Sequence, residues 1–326
     1  MTGTHRLSLE DVHQAARTID PIFRNTPQYA CEPLSAALGA DLSIKVEIAN
    51  PIRCFKGRGA DYLISRLPSR RRLFTASAGN FGQAMAYACR SRGVPLTVYA
   101  SVRANALKLD RMRVLGAEVV LAGDDFDGAK AAARESAAAV GAQFVEDGYD
   151  IETLAGAGTI ALEWIEREAL FDVVLIPLGN GALLNGVTRV IRAHRPAVRI
   201  VGVQAAGAPA MAVSWRTGRL VAYDRMDTIA DGIGVRTPIP EAVEDMQGWV
   251  DEVALVSDEA LIEAMRLLYQ HAGFVVEPSG AAGVAAILEG RVDLRGARAA
   301  TVLCGGNLTG EQMAQWLGAR TDLATR

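Results

Sequence analysis

Lys56 has the most reactive surroundings in this sequence. It stands in the run Asn50-Pro51-Ile52-Arg53-Cys54-Phe55-Lys56-Gly57-Arg58-Gly59-Ala60, between two arginines and beside an aromatic ring. Apolar surroundings and nearby positive charge favour an uncharged amine, the form that adds to a carbonyl as a Schiff-base nucleophile. The competing reading is a solvated lysine at the start of a helix, the commoner fate of this residue type.

Three further constellations could hold a ligand. Thr75-Ala76-Ser77-Ala78-Gly79-Asn80-Phe81-Gly82-Gln83 turns from an apolar strand into an Ala-rich helix. Backbone N–H groups at such a turn, with the Ser77 hydroxyl and the Asn80 and Gln83 amides, suit a carboxylate; plain helix capping explains the same residues. Ile176-Pro177-Leu178-Gly179-Asn180-Gly181-Ala182-Leu183-Leu184-Asn185-Gly186 is a loop of small residues able to wrap a phosphate. It is not the dinucleotide fingerprint, whose third glycine would fall at Leu184. Last, Thr301-Val302-Leu303 runs into Cys304-Gly305-Gly306-Asn307. A buried cysteine at a strand end is ordinarily a small hydrophobe, though its S–H can also meet a ring nitrogen weakly.

Each ligand loop lies where a short apolar run gives way to a helical pattern. Candidate strands cover 43–48, 73–76, 96–100, 118–121, 143–145, 173–176, 200–204 and 300–303; candidate helices cover 60–67, 80–92, 105–115, 128–140, 156–168, 183–194, 258–271, 281–288 and 310–317. This alternation predicts an α/β protein with parallel sheets covered by helices on both faces. On such sheets, ligands bind beyond the C-terminal ends of the strands.

Composition excludes other classes. The 326 residues carry a formal net charge of −3, which leaves no basic footprint for nucleic acid. Arg70-Arg71-Arg72 reads as a solvated turn. No apolar stretch approaches the ~20 residues of a membrane span, and Met1 to Arg6 lack the regions of a secretion signal. Cys31, Cys54, Cys89 and Cys304 show neither metal-ligand nor redox spacing, which predicts a reducing compartment and a cytoplasmic protein. The four histidines, His5, His13, His194 and His271, fall outside every motif.

Taken in order, these motifs resemble the fold-type II pyridoxal-phosphate enzymes, the group of serine and threonine dehydratases, serine racemase, cysteine synthase and the tryptophan synthase β-subunit. The resemblance runs from Leu9 to Leu317. It takes in Asn25-Thr26-Pro27, Lys108 to Gly116, Gly116-Ala117-Glu118-Val119, Gly156-Ala157-Gly158-Thr159, Ala230-Asp231-Gly232 and Glu277-Pro278-Ser279-Gly280-Ala281. It implies two three-layer αβα domains with parallel-rich sheets and the cofactor in the cleft between them. Residues 1–70 and 151–326 would form the large domain, and 71–150 a small mobile one. By the same resemblance, Lys56 is the catalytic residue that holds pyridoxal 5′-phosphate and then takes the substrate's Cα proton. Asn80 would meet the ring hydroxyl, Cys304 the ring nitrogen, and Gly179, Asn180, Gly181, Ala182 and Leu183 the phosphate. Ser77, Ala78, Gly79, Asn80 and Gln83 would bind the substrate carboxylate. A homodimer acting on a small amino acid is the expected form.

Departures from the family pattern narrow the reaction. Cys304 is too weak a partner to keep a pyridine nitrogen protonated, so the ring would be a modest electron sink, suited to prompt loss of a β-substituent. Ala78 stands where serine racemases carry their second proton-transfer group, which disfavours racemisation. Gly202-Val203-Gln204 to Ala210 lacks the carboxylates with which many dehydratases bind a cation, so no metal is expected there. Phe81 replaces the usual histidine, Cys54 the usual serine before Phe-Lys, and Asn180 and Ala182 replace glycines. Because the chain stops soon after Leu317, no C-terminal regulatory domain is expected. The leading expectation is β-elimination from serine, threonine or a relative, releasing a 2-oxo acid and ammonia. A β-replacement synthase is the nearest alternative, ahead of a racemase and of a binding protein that keeps only the fold.

Overall fold

The computed structural model describes residues 5–68 and 70–318, so the reading of Met1 to Thr4 lies outside the described residues. In chain order the strands are β1 Gln28–Ala30, β2 Leu42–Val46, β3 Leu73–Ala76, β4 Leu96–Ala100, β5 Glu118–Leu121, β6 Gln143–Val145, β7 Val173–Pro177, β8 Arg199–Ala205, β9 Glu252–Val256 and β10 Ala299–Leu303. They build a six-stranded sheet in the order β1-β2-β10-β7-β8-β9 and a four-stranded sheet in the order β5-β4-β3-β6. Apart from the antiparallel edge strand β1, all neighbouring pairs are parallel. Every residue of β4, β7 and β10 is buried, as continuous apolar runs covered on both faces should be. The α/β architecture is therefore as the alternation predicts.

Two helices begin four or more residues earlier than their apolar periodicity suggests. Helix Lys56–Arg66 starts four residues before the expected Ala60, and helix Ile151–Glu166 five before Gly156. Gly57 and Gly59 hide the first of these starts, because their helical cost makes the first turn look like loop. Those glycines, and Gly156 on the second helix, are required by close packing. A Cβ on Gly156 would lie 2.4 Å from the Gly59 Cα, and one on Gly57 would lie 2.3 Å from the Phe23 ring. As a result Lys56 occupies the first turn of a helix packed along both Ile151–Glu166 and Asn80–Arg92. A single apolar cluster runs through these three helices and reaches strands of both sheets, including Leu73, Val98, Ile176 and Val302.

Beneath that helix lies a fully desolvated ion cluster. Arg58 is 0% exposed. Its guanidinium donates to both Glu47 oxygens at 2.8 Å, to Glu163 at 2.6 and 3.1 Å, and to the Thr159 hydroxyl at 2.8 Å. Lys45, on β2, donates to Glu163 at 2.5 Å, to the Thr26 carbonyl at 3.0 Å and to Gln28 at 3.0 Å. Burial pushes the Glu163 carboxyl up, but Arg58 and Lys45 outweigh it and hold the group at about 2. This overturns the idea that Arg58 lends positive charge to Lys56, since Arg58 is turned inward and already balanced. Replacing it strands the buried Glu47 carboxylate and leaves Glu163 with Lys45 alone as counter-ion. Arg58→Ala should lower stability by about 3–5 kcal/mol, read as a shifted midpoint in urea unfolding.

Candidate active site

The approach to Lys56 is a short loop stitched at both ends. Asn50 donates its amide to the Glu47 and Cys54 carbonyls at 2.7 and 3.1 Å and accepts from the Ile52 and Cys54 N–H groups. Phe55 N–H donates to the Cys304 carbonyl at 3.0 Å, and Gly306 N–H to the Arg53 carbonyl at 3.0 Å. The Lys56 segment and the Cys304 loop are thus held side by side. The Lys56 amine lies over the Phe55 ring, 4.5 Å from its centroid, and meets an Asp147 oxygen at 2.5 Å.

The Ser77 turn leaves β3 and enters helix Asn80–Arg92. The Ser77 oxygen accepts from the Gly79 and Gly82 N–H groups at 3.2 and 3.0 Å, so the hydroxyl braces the turn. Among the described residues, no backbone carbonyl accepts from Ala78, Asn80 or Phe81 N–H, which leaves donors for an anion. Asn80 has a fixed orientation. Its Oδ1 accepts from Asn307 at 2.9 Å and its Nδ2 donates to Glu277 at 2.6 Å, leaving one N–H over. Phe81 is buried in the large apolar cluster while also lining the cavity, so packing accounts for it first.

Glu277 is missed by reasoning from sequence alone, although it lies inside a matching segment. It is 4% exposed and also accepts from Asn307 N–H at 3.2 Å. Burial first, and the Asp231 charge second, push its carboxyl up to about 7, against the pull of Lys108 and its hydrogen bonds. Burial, with Glu277 nearby, also drives the Cys304 thiol well above its usual range, so it stays protonated. Its sulfur donates to the Ser279 carbonyl at 3.4 Å, while the buried Ser279 hydroxyl has no hydrogen-bond partner among the described residues.

Lys56, Ser77, Ala78, Gly79, Asn80, Asn180 and Cys304 all line one cavity of about 520 Å³. They come from the C-terminal ends of β3, β7 and β10 and from the segment after β2, as expected for an open parallel sheet. Gln83 lies elsewhere, one helical turn beyond Asn80, where it faces a second cavity beside Arg53 and Arg111. Of the loop Gly179 to Leu183, Asn180 lines the first cavity, and its neighbours adjoin it directly in a closely packed turn. A Cβ on Gly179 would come within 2.8 Å of the Gly232 carbonyl, and one on Gly148 within 2.3 Å of the Asn180 carbonyl. Asp147 is a lining residue without warning in the sequence; an acid in a Gly-containing turn after β6 looks like solvated loop.

These residues fit pyridoxal phosphate. Gly181, at φ +93°, turns β7 into helix Ala182–His194. No described backbone carbonyl accepts from the N–H groups of Gly179 to Leu183, the donor set a phosphate needs, apart from those within the helix itself. An amine, one uncommitted amide N–H and a protonated thiol complete a surround for an aldehyde, a ring hydroxyl and a ring nitrogen.

Comparison with known proteins agrees with this fit. The profile of the family described as pyridoxal-phosphate dependent enzyme matches residues 19–305. The L-threonine ammonia-lyase of Thermotoga maritima is 36% identical over 305 residues, covering 93% of this chain and 76% of that protein. The crystal structure of a threonine deaminase from T.th. superposes with a TM-score of 0.85 at 32% identity, over 93% of this chain and 99% of that one. Maize serine racemase superposes at 0.88 with 27% identity, over 95% and 96%.

The raised Glu277 pKa has a measurable sign. The contribution of its neutral form to stability is complete below the unfolded value of 4.5 and is lost as the pH rises through about 7. Urea unfolding of cofactor-free protein should therefore show wild type losing stability relative to Glu277→Gln between these limits. The difference should be on the order of 3 kcal/mol.

Proposed function

The chain belongs to the pyridoxal-phosphate dependent enzyme family, and from that premise we propose that it is a lyase acting on a small β-hydroxy amino acid such as L-threonine or L-serine. It removes the β-hydroxyl as water and releases a 2-oxo acid and ammonia. The observation that carries this reading is the Lys56 amine opening into a cavity whose other walls offer the Asn80 amide and a protonated Cys304.

When bound, pyridoxal phosphate supplies the electron sink for negative charge developing at Cα. The Lys56 amine would hold the cofactor's aldehyde and, once free, would take the substrate's Cα proton. The spare Asn80 N–H would meet the ring hydroxyl, and the N–H groups of Gly179, Asn180, Gly181, Ala182 and Leu183 would hold the phosphate. Cys304, a thiol that supplies no charge, would lie at the ring nitrogen, an arrangement suited to prompt expulsion of the β-substituent. The free N–H groups of the Ser77-Ala78-Gly79-Asn80 turn orient the substrate carboxylate, and the Ala78 methyl has no proton to give, so racemisation is not supported.

Residues 71–150 act as a small domain that closes on the substrate and excludes water. Support comes from their separate four-stranded sheet and from ion pairs across the cavity mouth, Lys108 with Asp231 and Arg236 with Asp125 and Asp127. No described helix is long and apolar enough to cross a membrane. The four cysteines are free and buried, which supports a cytoplasmic protein. A homodimer is the assembly we expect, to be read by light scattering.

Supplied with L-threonine or L-serine alone, the protein should release a 2-oxo acid. Product only after a second nucleophile is added would move the assignment to β-replacement. Lys56→Ala should lower kcat by ~10²–10⁴-fold through loss of the base.

A further inference from the structure

Among the described residues, six carboxyl groups and no histidine line the cavity, and five of the six have partners that the cofactor does not touch. Asp125 and Asp127 pair with Arg236, Glu146 with Lys130 and Arg134, and Asp231 with Lys108. Glu277 accepts from the Asn80 amide and the Asn307 N–H. The sixth, Asp147, has the Lys56 amine as its partner at 2.5 Å, while its Oδ1 is buried with no hydrogen-bond partner among the described residues. On the reading that Lys56 holds the cofactor, which this inference rests on, the aldehyde engages that amine. Asp147 is the one acid of the wall that then loses its ammonium partner.

The turn that bears Asp147 is fixed from several sides. Glu146 N–H donates to Asp150 at 2.6 Å, Gly148 N–H to the Thr153 hydroxyl at 3.2 Å, and Arg6 to the Tyr149 carbonyl at 3.0 Å. Gly148, at φ +84°, packs its Cα face against the Asn180 carbonyl. The carboxylate therefore stays beside the point the Lys56 nitrogen occupies. An amino acid brings its own nitrogen to that point, and it arrives as an ammonium. It must lose a proton before the nitrogen can bond to the aldehyde carbon. Burial disfavours an ammonium and a carboxylate alike, so it favours passing the proton from one to the other.

We propose that Asp147 is a further catalytic residue, the base of the amine exchange that precedes elimination: its carboxylate binds the substrate's ammonium and takes one proton from it. An N–H bond of the ammonium breaks with its electron pair staying on nitrogen, and the proton goes to Asp147. The bond from that nitrogen to the aldehyde carbon forms, and the bond from the carbon to Lys56 breaks with its pair going to the Lys56 nitrogen. A second proton passes from the substrate nitrogen to Lys56 as the two bonds exchange. Because Asp147 keeps the first proton, Lys56 leaves as a neutral amine, the form able to take the Cα proton.

L-Alanine has no β-substituent to lose, so mixing it with the holoenzyme in stopped flow shows amine exchange alone, as a change in cofactor absorbance. Asp147→Asn keeps the side chain's shape and removes the base, and should slow that change by about 10²-fold or more. Between about pH 7 and about pH 8 the variant's rate should rise about tenfold, because more of the amino acid arrives already deprotonated. Over the same range the wild-type rate should change by less than about 2-fold. In cofactor-free protein, acetic anhydride should modify Lys56 about tenfold faster in the variant, read by mass spectrometry, because the amine has lost its carboxylate partner. A slowing of equal size at both pH values would overturn the proposal, since Asp147 would then serve only the fold. So would a wild-type rate that itself climbs about tenfold, a result that needs no variant to fold. No absorbance response of the wild type to L-alanine or L-threonine would defeat the reading of Lys56 as holder of the cofactor, and the proposal with it.

Discussion

The site depends on a guanidinium with no access to water. Arg58 is held between Glu47 at the end of β2 and Glu163 on helix Ile151–Glu166, with Lys45 completing the balance of charge. Desolvating four charges is tolerable only while all the partners stay in place, so the cluster fixes one relative position of strand and helices. Lys56 lies two residues earlier on the same helix and points the other way, into the cavity. Within one helical turn, the chain passes from its most rigid electrostatic anchor to its most reactive amine.

Around that amine, orientation is enforced by a relay of amides. Arg111 donates to Asn307 Oδ1 at 3.1 Å, so the Asn307 Nδ2 must face Asn80 and the Ile52 carbonyl. Asn80 in turn has its oxygen taken by Asn307 and one N–H taken by Glu277. Flipping Asn80 would break two bonds and flipping Asn307 three, so the one remaining N–H of Asn80 is aimed before any ligand arrives. Preorganised donors of this kind cost nothing to arrange during a reaction.

How much of this is legible in the sequence follows from which interactions are local. Strands β3, β4, β5 and β6 have the expected limits, because each is a short apolar run between polar or glycine boundaries. The edge strands β1 and β9 give weaker signals, and the helices Leu9–Thr18, Glu32–Leu38, Ala210–Thr217 and Pro240–Glu244 lie outside the expected set. The early start of the Lys56 helix is obscured by Gly57 and Gly59, whose reason lies in neighbours remote in sequence. Lys56, Asn80 and Cys304 can be picked out because their roles are tied to motifs. Asp147 and Glu277 cannot, since what distinguishes them is a lysine 91 residues away and an asparagine 197 residues away. Gln83 shares a motif with Asn80, but one further turn of helix takes it to a different cavity.

One amine, Lys56, is the proposed carrier of the cofactor, and every other role in the site is arranged around it. Borohydride reduction of the holoenzyme, followed by digestion and mass spectrometry, tests this directly. The expected result is a single pyridoxyl-phosphate adduct on the peptide containing Lys56. An adduct on another lysine, or none in protein saturated with the cofactor, would contradict it.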